Sequence, residues 1–178
     1  MQLKPSLLAL AAAACLASPA HAIIFTVTGN TTGAPTFNRP LEDLSGLSAV
    51  GTAVRYNVLN FSVSVAGDYT FLTTAAFDPF VFLYSPSFSA ASALTNAKIG
   101  NDDLLGLTTS GFTFTLATGV NYAYVATGFS NTDFGNFSTT IGGPGVVNVV
   151  PEPQAYALML LGLCAVGLAR RRALAETA

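Results

Sequence analysis

The stretch Phe61-Ser62-Val63-Ser64-Val65-Ala66-Gly67-Asp68-Tyr69-Thr70-Phe71-Leu72-Thr73 decides the fold. Phe61, Val63 and Val65 alternate with Ser62 and Ser64, a period of two that sends one row of side chains into a core and the other into solvent. Gly67-Asp68 supplies a turn, and Tyr69 to Thr73 resume the strand pattern. The pattern recurs downstream. Phe112, Phe114 and Leu116 alternate with Thr113 and Thr115, a turn follows around Thr118-Gly119-Val120-Asn121, and Tyr122-Ala123-Tyr124-Val125 reads as the next strand. Phe80-Val81-Phe82-Leu83-Tyr84 is apolar on both faces, as expected of a central strand covered on both sides. No stretch between Ile23 and Val150 carries a helical period. Short strands separated by Gly, Pro, Asn and Asp predict an all-β domain, an antiparallel β-sandwich or jelly roll.

The two ends of the chain do not follow this pattern. Residues 1–22 read as a secretory signal peptide: Lys4 gives the basic start, Leu7 to Leu16 the apolar helix, and Ala20-His21-Ala22 an A-x-A signal-peptidase site. The mature chain then starts at Ile23. At the other end Pro151-Glu152-Pro153 is followed by an uncharged apolar run, Ala155 to Ala169, and by Arg170-Arg171-Arg172. As a helix that run spans roughly 22 Å, against a hydrocarbon core of roughly 30 Å. Arginine snorkelling and local thinning of the bilayer make up the difference. The basic cluster predicts a cytoplasmic end, with the bulk of the chain outside. Length alone would also suit a buried helix of a soluble domain; the flanking Pro and Arg residues and the leader favour the membrane.

This tail resembles the PEP-CTERM sorting signal of exopolysaccharide-producing Gram-negative bacteria. The resemblance implies an exosortase as partner, which recognises Pro151, Glu152 and Pro153. Ala155–Ala169 would be a transient inner-membrane transmembrane helix and Arg170, Arg171 and Arg172 the stop and orientation signal. It also implies export to the periplasm, then to the cell surface or the extracellular matrix of a biofilm. The expected organisation is signal peptide 1–22, sandwich 23–141, a flexible Gly/Pro linker 142–149, sorting signal 150–172 and a cytoplasmic tail 173–178. Within the sandwich, Thr36-Phe37-Asn38-Arg39-Pro40, Gly67-Asp68-Tyr69-Thr70-Phe71, Phe77-Asp78-Pro79-Phe80, Leu83-Tyr84, Asn101-Asp102-Asp103 and Gly119-Val120-Asn121-Tyr122 resemble the bacterial pre-peptidase C-terminal domains. Those are non-catalytic β-sandwich modules of secreted proteins.

Composition narrows the chemistry. Between Ile23 and Val150 there is no His, Cys or Trp, since His21 and Cys15 fall in the leader and Cys164 in the tail. That excludes Ser-His-Asp and Cys-His nucleophiles, zinc sites with His or Cys ligands and disulfides for this span. Arg39, Arg55 and Lys98 stand against Glu42, Asp43, Asp68, Asp78, Asp102, Asp103 and Asp133, three cations to seven carboxylates and a net charge of −4. With no basic patch, nucleic acid is not an expected partner. No catalytic residues are assigned.

Four binding or catalytic possibilities remain open. Asp78, Asp102, Asp103 and Asp133 lie in loops or near strand ends, where oxygen ligands could hold Ca²⁺; equally, each could cap a turn. Asp78 and Asp103 could serve a carboxylate-based glycoside hydrolase if they faced each other across about 5–10 Å. Tyr56, Tyr69, Tyr84, Tyr122 and Tyr124 could stack on sugars of an extracellular polysaccharide, although rings that point inward are the ordinary outcome on a strand. Threonines 70, 73, 113 and 115 also raise ice binding.

Overall fold

The computed structural model describes residues 22–151 and residue 161. The leader up to His21, Glu152 and Pro153, the apolar run apart from Leu161, and Arg170–Arg172 lie outside the described residues. Among the described residues no helix is long and apolar enough to cross a membrane.

The described residues form eleven strands: β1 (Ile23–Asn30), β2 (Thr36–Phe37), β3 (Val54–Arg55), β4 (Asn57–Val63), β5 (Gly67–Ala75), β6 (Pro79–Tyr84), β7 (Ala97–Asn101), β8 (Thr109–Leu116), β9 (Tyr122–Gly128), β10 (Asn136–Gly143) and β11 (Val147–Val149). They build an antiparallel β-sandwich. One sheet has the order β1-β10-β5-β8 and the other β11-β4-β9-β6-β7, with β2-β3 as a separate ribbon. From β4 onward every connection but β6–β7 crosses from one sheet to the other. Gly67 and Asp68, expected as a turn, instead open β5, and the chain changes sheets over residues 64–66.

The core between the sheets is aromatic. Phe61 of β4, Phe71 of β5, Phe112 of β8 and Tyr124 of β9 converge there, and Phe71 stacks on Tyr124 with centroids 5.3 Å apart. Alternation places them: Phe61 and Val63 are buried on β4, and Phe112 and Leu116 on β8. Val65 does not continue its row. It lies beyond the end of β4, where the chain turns to change sheets, and is 45% exposed. Thr73, also on the inward row, is buried and bonds Tyr124 Oη at 2.7 Å and Thr139 Oγ1 at 2.6 Å. These three hydroxyls satisfy one another, which burial requires.

β6 is buried along its whole length, as its double apolar pattern predicts. Its second face, Phe80, Phe82 and Tyr84, packs with Phe37, Val54, Ala123 and Val125 in a second core. That core is roofed by the β2–β3 ribbon and the irregular segments around it. Without the roof the five-stranded sheet would expose an aromatic face to water.

The glycine run 142–145 is not a flexible linker. Gly142 and Gly143 end β10, and Val147–Val149 form β11 against β4. Glycine is required at position 143 by packing: a Cβ there would collide with the Tyr69 ring. At Gly145 it would come within 2.8 Å of Tyr69 Oη. Tyr69 itself donates to the Val65 carbonyl at 2.8 Å, which fixes its ring over this segment. The last backbone bond of the sandwich runs from Val150 N–H to the Asn60 carbonyl at 2.8 Å, so the domain extends to Val150.

Candidate functional site

β6 and β7 are antiparallel neighbours, with Val81 opposite Asn101. Asp78, just before β6, and Asp102 and Asp103, just after β7, therefore meet at one end of the sandwich. One carboxylate oxygen from each lies within 4.8 Å of the others. Asn101 braces the loop: its Oδ1 accepts from Gly111 N at 2.9 Å, its Nδ2 donates to Glu42 Oε1 at 3.1 Å, and its carbonyl accepts from Ser110 Oγ at 2.7 Å.

Turn capping does not account for these three carboxylates. Oδ1 of Asp78 and Oδ1 of Asp102 are buried with no hydrogen-bond partner among the described residues. Asp133 is different. Its Oδ2 accepts from Ser130 N at 2.8 Å and from Ser130 Oγ, so it closes the turn after β9 and stands apart from the triad. Of the four acids read from sequence as possible ligands, the fold brings three together.

Burial is the largest cause of the electrostatic shifts at this end. It pushes Asp102 up to about 6, with Asp78 and Asp103 adding to the rise, Arg39 opposing it and Glu42 adding a little more. Asp78 is raised for the same reason, helped by Asp103 and Asp133 and opposed by Arg39. Arg39 is the residue that sequence reading did not single out as part of this region. Its side chain is 2% exposed, stacked over Phe80 at 4.1 Å and Phe129 at 4.9 Å. The signal available in the sequence was its rarity, one of three cations between Ile23 and Val150.

Asp78 and Asp103, the pair read as possible glycoside hydrolase carboxylates, belong to this one cluster. Of the five tyrosines read as stacking platforms, four are withdrawn from the surface and Tyr56 is half-buried. Tyr69, Tyr84, Tyr122 and Tyr124 are buried, and Tyr56 is held edge-to-face by Phe37 and Phe88.

The described residues thus form an antiparallel β-sandwich whose last strand runs into a short C-terminal motif. Residues 149–173 match the PEP-CTERM protein-sorting motif. No curated protein matches the chain in sequence. Among solved structures, the pre-peptidase C-terminal domain of a Bacillus anthracis collagenase is similar at 15% identity and a TM-score of 0.41, over 67% of this chain and 89% of that one. The K3 cleaved adhesin domain of Lys-gingipain from Porphyromonas gingivalis w83 is similar at 15% identity and a TM-score of 0.31, over 66% of this chain and 91% of that one.

Proposed function

We propose that this is a non-enzymatic exported protein, delivered by an exosortase to the cell surface or extracellular polysaccharide matrix of a Gram-negative bacterium. The tail holds it in the inner membrane with the sandwich in the periplasm until it is processed. The observation that carries this reading is the junction. The matched motif, residues 149–173, overlaps the sandwich only at Val149, the last residue of β11, and Val150, whose N–H makes the last backbone bond, to Asn60. Removal of everything beyond Pro151–Pro153 would take no described strand from the fold. Proline on either side of Glu152 disfavours helix in such a sequence, which suits recognition of the motif by a protease. Glu152→Ala, or replacement of Arg170–Arg172, should leave unprocessed or mislocalised precursor on an immunoblot of the native host. Wild-type processing of both variants would overturn the assignment.

A second reading concerns calcium. Three clustered carboxylates with two orphaned buried oxygens suit a hard cation bound by oxygen, and Asp78, Asp102 and Asp103 would be its protein ligands. The sign of the pH effect follows from the raised carboxyl groups. Without a cation the contribution of Asp102 to stability is fully present below about pH 4, the ordinary carboxylate value, and is lost as pH rises through about 6, and that of Asp78, also raised, is lost in the same direction. Millimolar calcium should therefore raise the melting temperature at pH 7.5, by the equivalent of about 1–2 kcal/mol for a site of typical extracellular affinity, and not at pH 4.5. Asp102→Asn should raise stability at pH 7.5 without calcium and abolish the calcium effect. Equal melting with calcium and with chelator would dismiss this reading.

A further inference from the structure

The outer face of the four-stranded sheet is nearly free of charge. In β1, β10, β5 and β8 the only ionisable acid or base other than tyrosine is Asp68. Arg39, Arg55 and Lys98 all belong to the other sheet, its ribbon or its roof. The register lines up Thr28, Ser138 and Thr74 in one row across β1, β10 and β5, beside the pair Asn30 and Asn136. These five residues line an open depression of about 750 Å³. Thr73, which the sequence grouped with the surface threonines, faces the core instead.

The hydroxyls in the depression differ from those elsewhere on the face. Thr26 pairs with Thr140 at 3.3 Å, and Thr70 with Thr113 at 2.9 Å. Among the described residues Thr28, Ser138 and Thr74 make no side-chain hydrogen bond. Asn30 donates to Asn136 Oδ1 at 2.6 Å and accepts from Thr32 N, which leaves the Asn136 amide protons pointing to nothing else described. A short run of donor-acceptor hydroxyls, spaced by the strand separation of about 4.8 Å, therefore stands beside a free carboxamide donor.

We infer that this depression binds a neutral, hydroxyl-bearing glycan. Charge and polarity select the occupant. An anionic polymer finds no cation here, and a protein partner finds no Arg anchor and only the buried Phe137 ring at the floor, 8% exposed. Hydroxyl and amide groups in register match a polyhydroxylated chain whose sugar residues repeat on about the strand spacing. The sheet's twist of about 20–25° per strand works against an extended planar lattice such as ice. The inference rests on the sandwich alone and is independent of the sorting reading.

The test uses the full chain in a detergent without a sugar headgroup, by affinity electrophoresis through gels containing dextran, galactomannan or hydroxyethylcellulose, with alginate as the anionic comparison. At least one neutral polymer should retard the protein and alginate should not. Asn136→Ala with Ser138→Ala should weaken retardation about tenfold, the equivalent of one or two hydrogen bonds. Thr74→Arg, which fills the depression from an exposed position, should abolish it, while Lys98→Ala on the other sheet leaves it unchanged. Absence of retardation by every neutral polymer, stronger binding to alginate, or wild-type retardation of both depression variants would each overturn the inference. A concentration-dependent dimer lost in the same variants would overturn it in favour of a second copy of this chain.

Discussion

Phe71→Ala should cost the sandwich about 4 kcal/mol, the middle of the range for truncating a buried phenylalanine. Phe71 is wholly buried, and its ring meets Phe112 at 5.0 Å, Tyr124 at 5.3 Å and Phe61 at 6.0 Å. Those partners come from both sheets, so the cavity would open at the seam that joins them. It could not close by a local shift, because Phe71 pairs with Phe112 and Ile141 in the ladder and its carbonyl lies directly against Gly111. A domain of this size has roughly 5–15 kcal/mol to lose. Urea unfolding of the full chain in detergent should show a lowered midpoint with an unchanged slope. Phe71→Leu, which keeps most of the volume, should cost about 1 kcal/mol. Equal losses for the two variants would mean that ring stacking, rather than volume, holds the seam.

The parts of this fold that could be read in the sequence are those in which one residue's environment shows in its neighbours. Phe80 to Tyr84 announce a doubly covered strand because five apolar residues in succession leave no polar face. Phe61 with Val63, and Phe112 with Leu116, announce half-buried strands by alternation. What could not be read depends on contacts distant in the chain. Gly143 looks like slack until the Tyr69 ring is placed against it. The roof from Thr31 to Tyr56 has no period, because it is irregular chain wrapped over an aromatic face that only the folded sheet creates. The candidate site was legible in residue type and not in grouping. Asp78 and Asp102–Asp103 converge because β6 and β7 are adjacent, whereas Asp133 is captured by Ser130, three residues away. The tail is the opposite case: its motif is linear, so the sequence alone carries it.

Arg39→Ala should be the most damaging change outside the inter-sheet core, at about 3–4 kcal/mol. Arg39 Nε donates to the Phe129 carbonyl at 2.9 Å and Nη1 to the Pro40 carbonyl at 3.0 Å. Hydrogen bonds from a charged donor are worth about 1.5–3 kcal/mol each, and a desolvated cation over a ring up to about 2. Not all of this is lost, because water can enter where the side chain was. The backbone at Arg39 also anchors the roof through Gly51 and Ser48, so truncation loosens the segment that covers Phe80 and Phe82. The electrostatic consequence is separable from the packing one. Arg39 opposes the rise of both Asp78 and Asp102. Without it the Asp102 carboxyl should titrate above 6, and the loss of stability with rising pH should move to higher pH and become larger. Carboxyl NMR across pH 4–8 would read this directly. Arg39→Lys separates the two contributions, since it keeps a charge but cannot reach both carbonyls while lying flat on the rings. It should hold the Asp102 titration near the wild-type position and still lose about 1–2 kcal/mol in urea. If the Lys variant matched wild type in both measurements, the residue's role would be charge alone. If Ala left the Asp102 titration unmoved, Arg39 would be a packing element with no hold on the acidic site.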